Sequence, residues 1–213
     1  MKKPSELQLN RKLPVWGWCG FILIAIFWPV NWLMGGTRTI WAFFPLWTGF
    51  SLIVDGLVFF RTGTSQIQRS KPGFISLFLI SAPSWWLFEY LNHRVQNWYY
   101  AGVEGFTNYE FFLLSTLNFS TVMPAIFGSA ELISSFDWPK RVQISIRIPR
   151  SNRSVACFFI IGLIMLTLLL IWPVIFFPFM WLSIYFILEP INLWLGNPSL
   201  FDFADKKEWR PVL

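Results

Sequence analysis

The stretch Ser84–Tyr100, SWWLFEYLNHRVQNWYY, holds the residues best suited to chemistry. In a helix, Trp85, Glu89, Asn92, His93 and Gln96 fall at i, i+4, i+7, i+8 and i+11 and share one face. A carboxylate, an amide, an imidazole and an indole on one stripe at the end of an apolar helix are costly in lipid, so such groups face a partner or a cavity. The spacing predicts an aromatic-walled polar pocket. In it Glu89 acts as acid or base, His93 assists, and Asn92 or Arg94 orients. Trp85 and Arg94 fall to substrate binding, with Asn97 and Trp98 at the rim, and Trp85, Glu89 and Asn92 are expected to line one cavity. The competing reading of the same residues is an interfacial aromatic belt with a structural Glu–Arg or Glu–His pair.

A second set of polar groups sits at the other ends of the apolar runs. Asp55, Glu131 and Glu189 each lie within a few residues of the end of a hydrophobic segment and head stripes of small or polar residues. Those stripes are Thr48, Ser51, Asp55; Thr121, Pro124, Gly128, Glu131; and Tyr185, Glu189, Asn192. Such stripes serve close helix packing. Ionisable groups at their ends need partners, which Arg61, Arg69 and the basic loop beyond residue 139 can supply. The expectation is one inner polar cluster of Asp55, Glu131, Glu189 and Asn192.

The elements that position these groups follow from apolar length, since a helix needs about 20 apolar residues to cross the hydrocarbon core. Five runs satisfy this: Leu13–Met34, Ile40–Phe60, Phe74–Leu91, Phe111–Ile133 and Ser154–Trp172. The last continues uncharged through Leu188, which as one helix would be about 50 Å long against a core of roughly 30 Å. Pro173 and Pro178 break it, so a hairpin with a sixth span over about residues 175–195 is expected. The spans are then about 13–34, 40–60, 74–91, 111–133, 154–172 and 175–195 in a single polytopic domain over 1–213. Lys and Arg crowd the N-terminus (Lys2, Lys3, Arg11, Lys12), the second loop (Arg61, Arg69, Lys71) and the fourth (Lys140, Arg141, Arg147, Arg150, Arg153). The alternate loops are nearly free of them. With Lys- and Arg-rich loops held in the cytoplasm, six spans with both termini cytoplasmic satisfy every loop.

Composition agrees. Of 213 residues, 55% are hydrophobic and only 13% charged, about half the charge of a water-soluble domain. The chain reads as an all-α integral membrane protein of the cell (inner) membrane. Leu13–Met34 is longer than the roughly 7–15 residues of a signal-peptide core and carries Trp28, Pro29 and Trp32, so it is expected to be retained. The net charge of +6 resides in loops between spans, which argues against nucleic acid as a partner. Residues 141–150 alternate Val142, Ile144, Ile146, Ile148 with polar residues, as an extended segment on the inner leaflet would. Cys19 and Cys157 read as buried free thiols.

A single histidine, His93, excludes His-cluster metal sites, and no metal site is expected. No P-loop, GxGxxG, HExxH, GxSxG, CxxC or paired-aspartate diphosphate motif occurs, which excludes classical nucleotide and hydrolase chemistry. No cofactor is evident; a bound lipid or pigment is compatible with the aromatic content of 14 Trp and 24 Phe.

Two functions fit. One is an enzyme whose buried carboxylates do acid–base chemistry on an apolar lipid, isoprenoid or carotenoid. The alternative is a non-catalytic accessory subunit of a larger membrane complex in contact with pigment, quinone or lipid. A small transporter ranks third. Partners are membrane lipids and either further membrane subunits or a second copy of the chain. One weak echo, LFEYLN at 87–92 and ILEPIN at 187–192, repeats Glu-x-x-Asn.

Overall fold

A computed structural model describes residues 11–34, 38–138 and 146–207. Among them every regular element is helical: α1 (Val15–Leu33), α2 (Arg38–Thr62), α3 (Gln66–Arg69), α4 (Lys71–Val95), α5 (Asn108–Phe119), α6 (Val122–Ser134), α7 (Asn152–Ile171), α8 (Pro173–Phe176), α9 (Phe179–Trp194) and α10 (Leu200–Ala204). Five stretches are long and apolar enough to cross a membrane, namely α1, Ile40–Thr62, α4, Asn108–Ser134 and α7. The sixth expected span is broken instead. α7 stops at Ile171, Pro173 opens α8, Pro178 precedes α9, and α9 has 16 residues, about 24 Å at 1.5 Å per residue. Lys2, Lys3, Lys140, Arg141 and the first half of the alternating segment lie outside the described residues.

The chain forms two compact units, one built from the chain up to Leu87 with Tyr100–Phe136, the other from Phe88–Tyr99 with the chain from Asp137 on. In the first, α2 packs against α1, α5 and α6. Glycine sets the α1–α2 approach. A Cβ on Gly20 would meet Gly49 O at 2.6 Å and Ile53 N at 2.8 Å, and one on Gly56 would meet Gly17 Cα at 3.0 Å. The two backbones therefore touch directly, as small residues allow in membrane helices.

The break between α5 and α6, at Ser120–Thr121, would strand backbone groups in an apolar setting. Buried Ser81 of α4 repairs it: its hydroxyl donates to Phe119 O at 2.5 Å and accepts from Met123 N at 3.0 Å. The polar-or-small stripe of α6 is packing surface, with Thr121, Pro124 and Gly128 buried. Gly128 faces Val54.

In the second unit α7 and α9 run antiparallel. Phe158 stacks on Phe186, Phe159 meets Trp194, and Gly162 lies against the backbone of Ile187. Leu169 and Met180, both fully buried at the turn, join Leu91 and Val95 from the end of α4 in one apolar cluster. Cys19 and Cys157 are free thiols but exposed on their helices, not buried. An apolar run has no preferred face in a membrane, so sequence alone does not say which way a cysteine within it points.

Candidate functional site

The last turn of α4 and the loop after it form a knot of hydrogen bonds around Glu89 and Asn92. α4 ends at Val95, and Gln96 adopts φ +50°, a left-handed conformation that stops the helix. Gln96 is therefore past the helix end and does not continue the Trp85–Glu89–Asn92 stripe. Asn92, buried, spends its amide on the backbone: Nδ2 donates to Trp98 O at 2.8 Å, and Oδ1 accepts from Asn97 N at 3.0 Å and Trp98 N at 3.4 Å. That folds Trp98 back so that its indole N–H donates to Glu89 Oε1 at 3.0 Å. Glu89 is half-buried. His93, Arg94 and Asn97 are exposed, and the Arg94 guanidinium reaches Ile171 O at 3.5 Å, where a cation complements the end of α7.

Trp85 has different surroundings. It walls an aromatic cavity of about 370 Å³ that belongs wholly to the first unit. Phe43, Tyr100, Phe106, Phe111 and Phe119 supply the other rings. The loop 100–106 closes over it, turned by the Phe106 N to Val103 O bond at 3.0 Å and held by edge contacts of Tyr100 with Phe111 and Phe119. Asn31, Ser115 and Asn118 are its polar lining. Neither Glu89 nor Asn92 is among the lining residues, which corrects the expectation of one cavity shared with Trp85. Glu89 accepts instead from the Trp98 indole. Asn92, His93, Gln96, Trp98 and Tyr99 instead border an open cleft of about 420 Å³ in the second unit.

The carboxylates near the other helix ends each have their own partners. Asp55, 2% exposed, accepts from the Trp16 indole at 2.9 Å, Ser65 Oγ at 2.7 Å and Ile67 N at 3.1 Å. Glu131 takes a two-pronged pair from Arg69 at 2.6 and 2.9 Å. That hydrogen bond, first among the causes, raises the Arg69 pKa and keeps the guanidinium charged. Arg61 has no carboxylate partner among the described residues: it donates to Ser135 Oγ at 2.7 Å and lies 3.8 Å over the Phe136 ring. Glu189, in the second unit, accepts from Leu200 N. Arg69, paired with Glu131, also feels the Asp55 charge, so these two carboxylates share one arginine, while Glu189 has its own backbone partner.

Two of these fastenings repeat one design. Asp55 and Glu189 each sit near the end of a long helix, followed by a glycine at positive φ (Gly63, Gly196), a serine N-cap (Ser65, Ser199) and a short helix whose first amides the carboxylate holds. Asn192 repeats the work of Asn92, donating to Pro198 O at 2.9 Å. The Glu-x-x-Asn echo is in this respect a shared way of closing a helix end.

The polar groups of the cavity are what the sequence reading missed. Ser115 and Asn118 are spaced i, i+3 on one face of α5, a signal indistinguishable from a close-packing stripe. Among the described residues no three His, Cys, Asp or Glu side chains gather as a metal site. No protein-family model matches the chain, and no curated protein and no solved structure shows a significant likeness to it.

Proposed function

We propose that this multi-pass membrane protein binds an apolar ligand, a lipid or isoprenoid, in the cavity beside Trp85, without acid–base chemistry at that cavity. One observation supports this most: six aromatic rings wall the cavity, and among the described residues its lining includes no carboxylate, imidazole or amine. A space of about 370 Å³ falls within the range of small-molecule sites, which run from roughly 300 to 1,000 Å³. Sited in a membrane helix bundle, it favours a molecule that partitions into lipid. This is the ligand-contacting, non-catalytic reading, with the cell (inner) membrane as its proposed place. Further subunits or a second copy of the chain are compatible with it.

The test is to purify the protein in mild detergent and identify co-purifying small molecules by mass spectrometry. Val103→Trp, in the loop where it disturbs no helix, is expected to fill the cavity and remove the bound molecule while the protein stays folded. Undiminished retention in that variant would sink the proposal.

A second reading rests on the half-buried Glu89 beneath the Trp98 indole: an enzyme in which Glu89 exchanges a proton with an unsaturated apolar substrate. Glu89→Gln, which keeps an acceptor for the indole but removes the acid, would abolish turnover in that case. An unaltered rate of conversion of an added isoprenoid by this variant would rule it out.

A further inference from the structure

Helix hydroxyls in this chain nearly always satisfy themselves locally: Ser51 donates to Trp47 O, Thr116 to Phe112 O, Ser134 to Ala130 O and Thr167 to Leu163 O, the ordinary solution for a hydroxyl in an apolar helix. Ser115 does not. It is only 8% exposed, it lines the Trp85 cavity, and its hydroxyl has no hydrogen-bond partner among the described residues. The side chains of Asn118, one turn further along α5, and of Asn31, from the end of α1, line the same cavity and likewise have none there. A buried polar group without a partner costs stability. Here one buried hydroxyl and two half-buried amides, from two helices, line one aromatic space.

We infer that these three groups read the polar end of the ligand, and that this end is a neutral oxygen, a hydroxyl or carbonyl on an otherwise apolar isoprenoid skeleton. The inference rests on the binding reading above and narrows it. Two amides and a hydroxyl both donate and accept, so they match an alcohol or a carbonyl equally. Among the described residues no lysine or arginine lines the cavity, so none of them would pair with a phosphate or carboxylate head. No carboxylate lines it either, leaving a cationic head only the ring faces, with the three polar groups still unused. At roughly 30 Å³ per water-sized group, the space holds about a dozen heavy atoms. That suits the head of a quinone or the end of a prenyl alcohol, with a longer tail leaving towards lipid.

The probes are geraniol, the carbonyl-bearing menadione, and myrcene, a hydrocarbon of geraniol's size, titrated into detergent-solubilised protein with binding read by intrinsic fluorescence or calorimetry. Geraniol or menadione is expected to bind about tenfold more tightly than myrcene, with that advantage lost in Ser115→Ala and in Asn118→Leu while myrcene affinity holds. Which of the two oxygenated probes binds better distinguishes an alcohol from a quinone-type ligand. Equal affinity for all three in the unaltered protein, unchanged by either substitution, overturns the inference and leaves the cavity a plain hydrocarbon site. If no probe binds, or if Val103→Trp binds them all as well as the parent, the cavity reading itself fails and the inference with it. Thermal unfolding of both variants shows whether a lost preference reflects lost fold.

Discussion

Asn92 and Glu89 show how much a polar residue near a helix end can be committed to architecture. Three hydrogen bonds from one amide close the turn after α4, and the Trp98 ring so placed reaches the carboxylate. Asn92→Ala is expected to lower stability by about 2–3 kcal/mol, since each net bond contributes about 1 kcal/mol and Trp98 loses its anchor. Thermal unfolding in detergent would measure it. Glu89→Gln should cost less than about 1 kcal/mol by the same assay, because the amide oxygen still accepts from the indole. Equal losses in the two variants would contradict the division of labour drawn from the geometry. Trp85, Glu89 and Asn92 were legible as residues with work to do, because polar groups beside long apolar runs are expensive. Their separate destinations were not legible. Helical periodicity places side chains on a face but says nothing of a loop that folds back over that face, and Trp98 lies in such a loop.

At the level of elements, apolar length carried the reading furthest, and special backbone carried it least. The break at Pro173 and Pro178 was visible because each proline removes a helix hydrogen bond and two of them fall within about one turn and a half of a run too long for a single span, whereas Pro29, Pro45, Pro83 and Pro190 lie inside helices. The break at Ser120–Thr121 was marked only by Pro124, which cannot bond the Ser120 carbonyl four residues earlier and clashes with it, and which reads equally as part of a small-residue packing stripe. Ser81, a neighbour in space and not in sequence, supplies the donor and acceptor that the break requires. Phe119, whose carbonyl Ser81 holds, is also a wall of the cavity. Ser81→Ala is therefore expected to destabilise the protein by about 1–3 kcal/mol, the cost of stranding Phe119 O and Met123 N. It should also weaken ligand retention. Destabilisation without any change in retention would mean that the break serves the fold alone.

For the molecule as a whole, the open matter is which helix ends share a side of the membrane. Five stretches are long and apolar enough to cross, and the α7–α9 pair turns back on itself, with Phe158 on Phe186 and Leu169 beside Met180. α9 alone would reach about 24 Å, short of the roughly 30 Å core. It can still cross if the bilayer thins around it or if α8 deepens its start, each at modest cost. The lysines and arginines argue that it crosses, because only then do both the loop around Arg150 and the C-terminus lie with the other basic loops. A reporter inserted at Arg150 and one fused after Leu213 are both expected to read cytoplasmic, with one at Gly105, in the loop that closes the cavity, reading outside. The Gly105 result bears on function as well. If that loop faces outside, the cavity opens at the outer leaflet, and a ligand added to intact cells should reach it without crossing the membrane. A cytoplasmic reading at Gly105 would reverse the orientation and place the cavity mouth at the inner leaflet. An outside reading at Leu213 alone would show that α9 does not cross in the expected sense and that the α7–α9 hairpin meets the membrane by some other path.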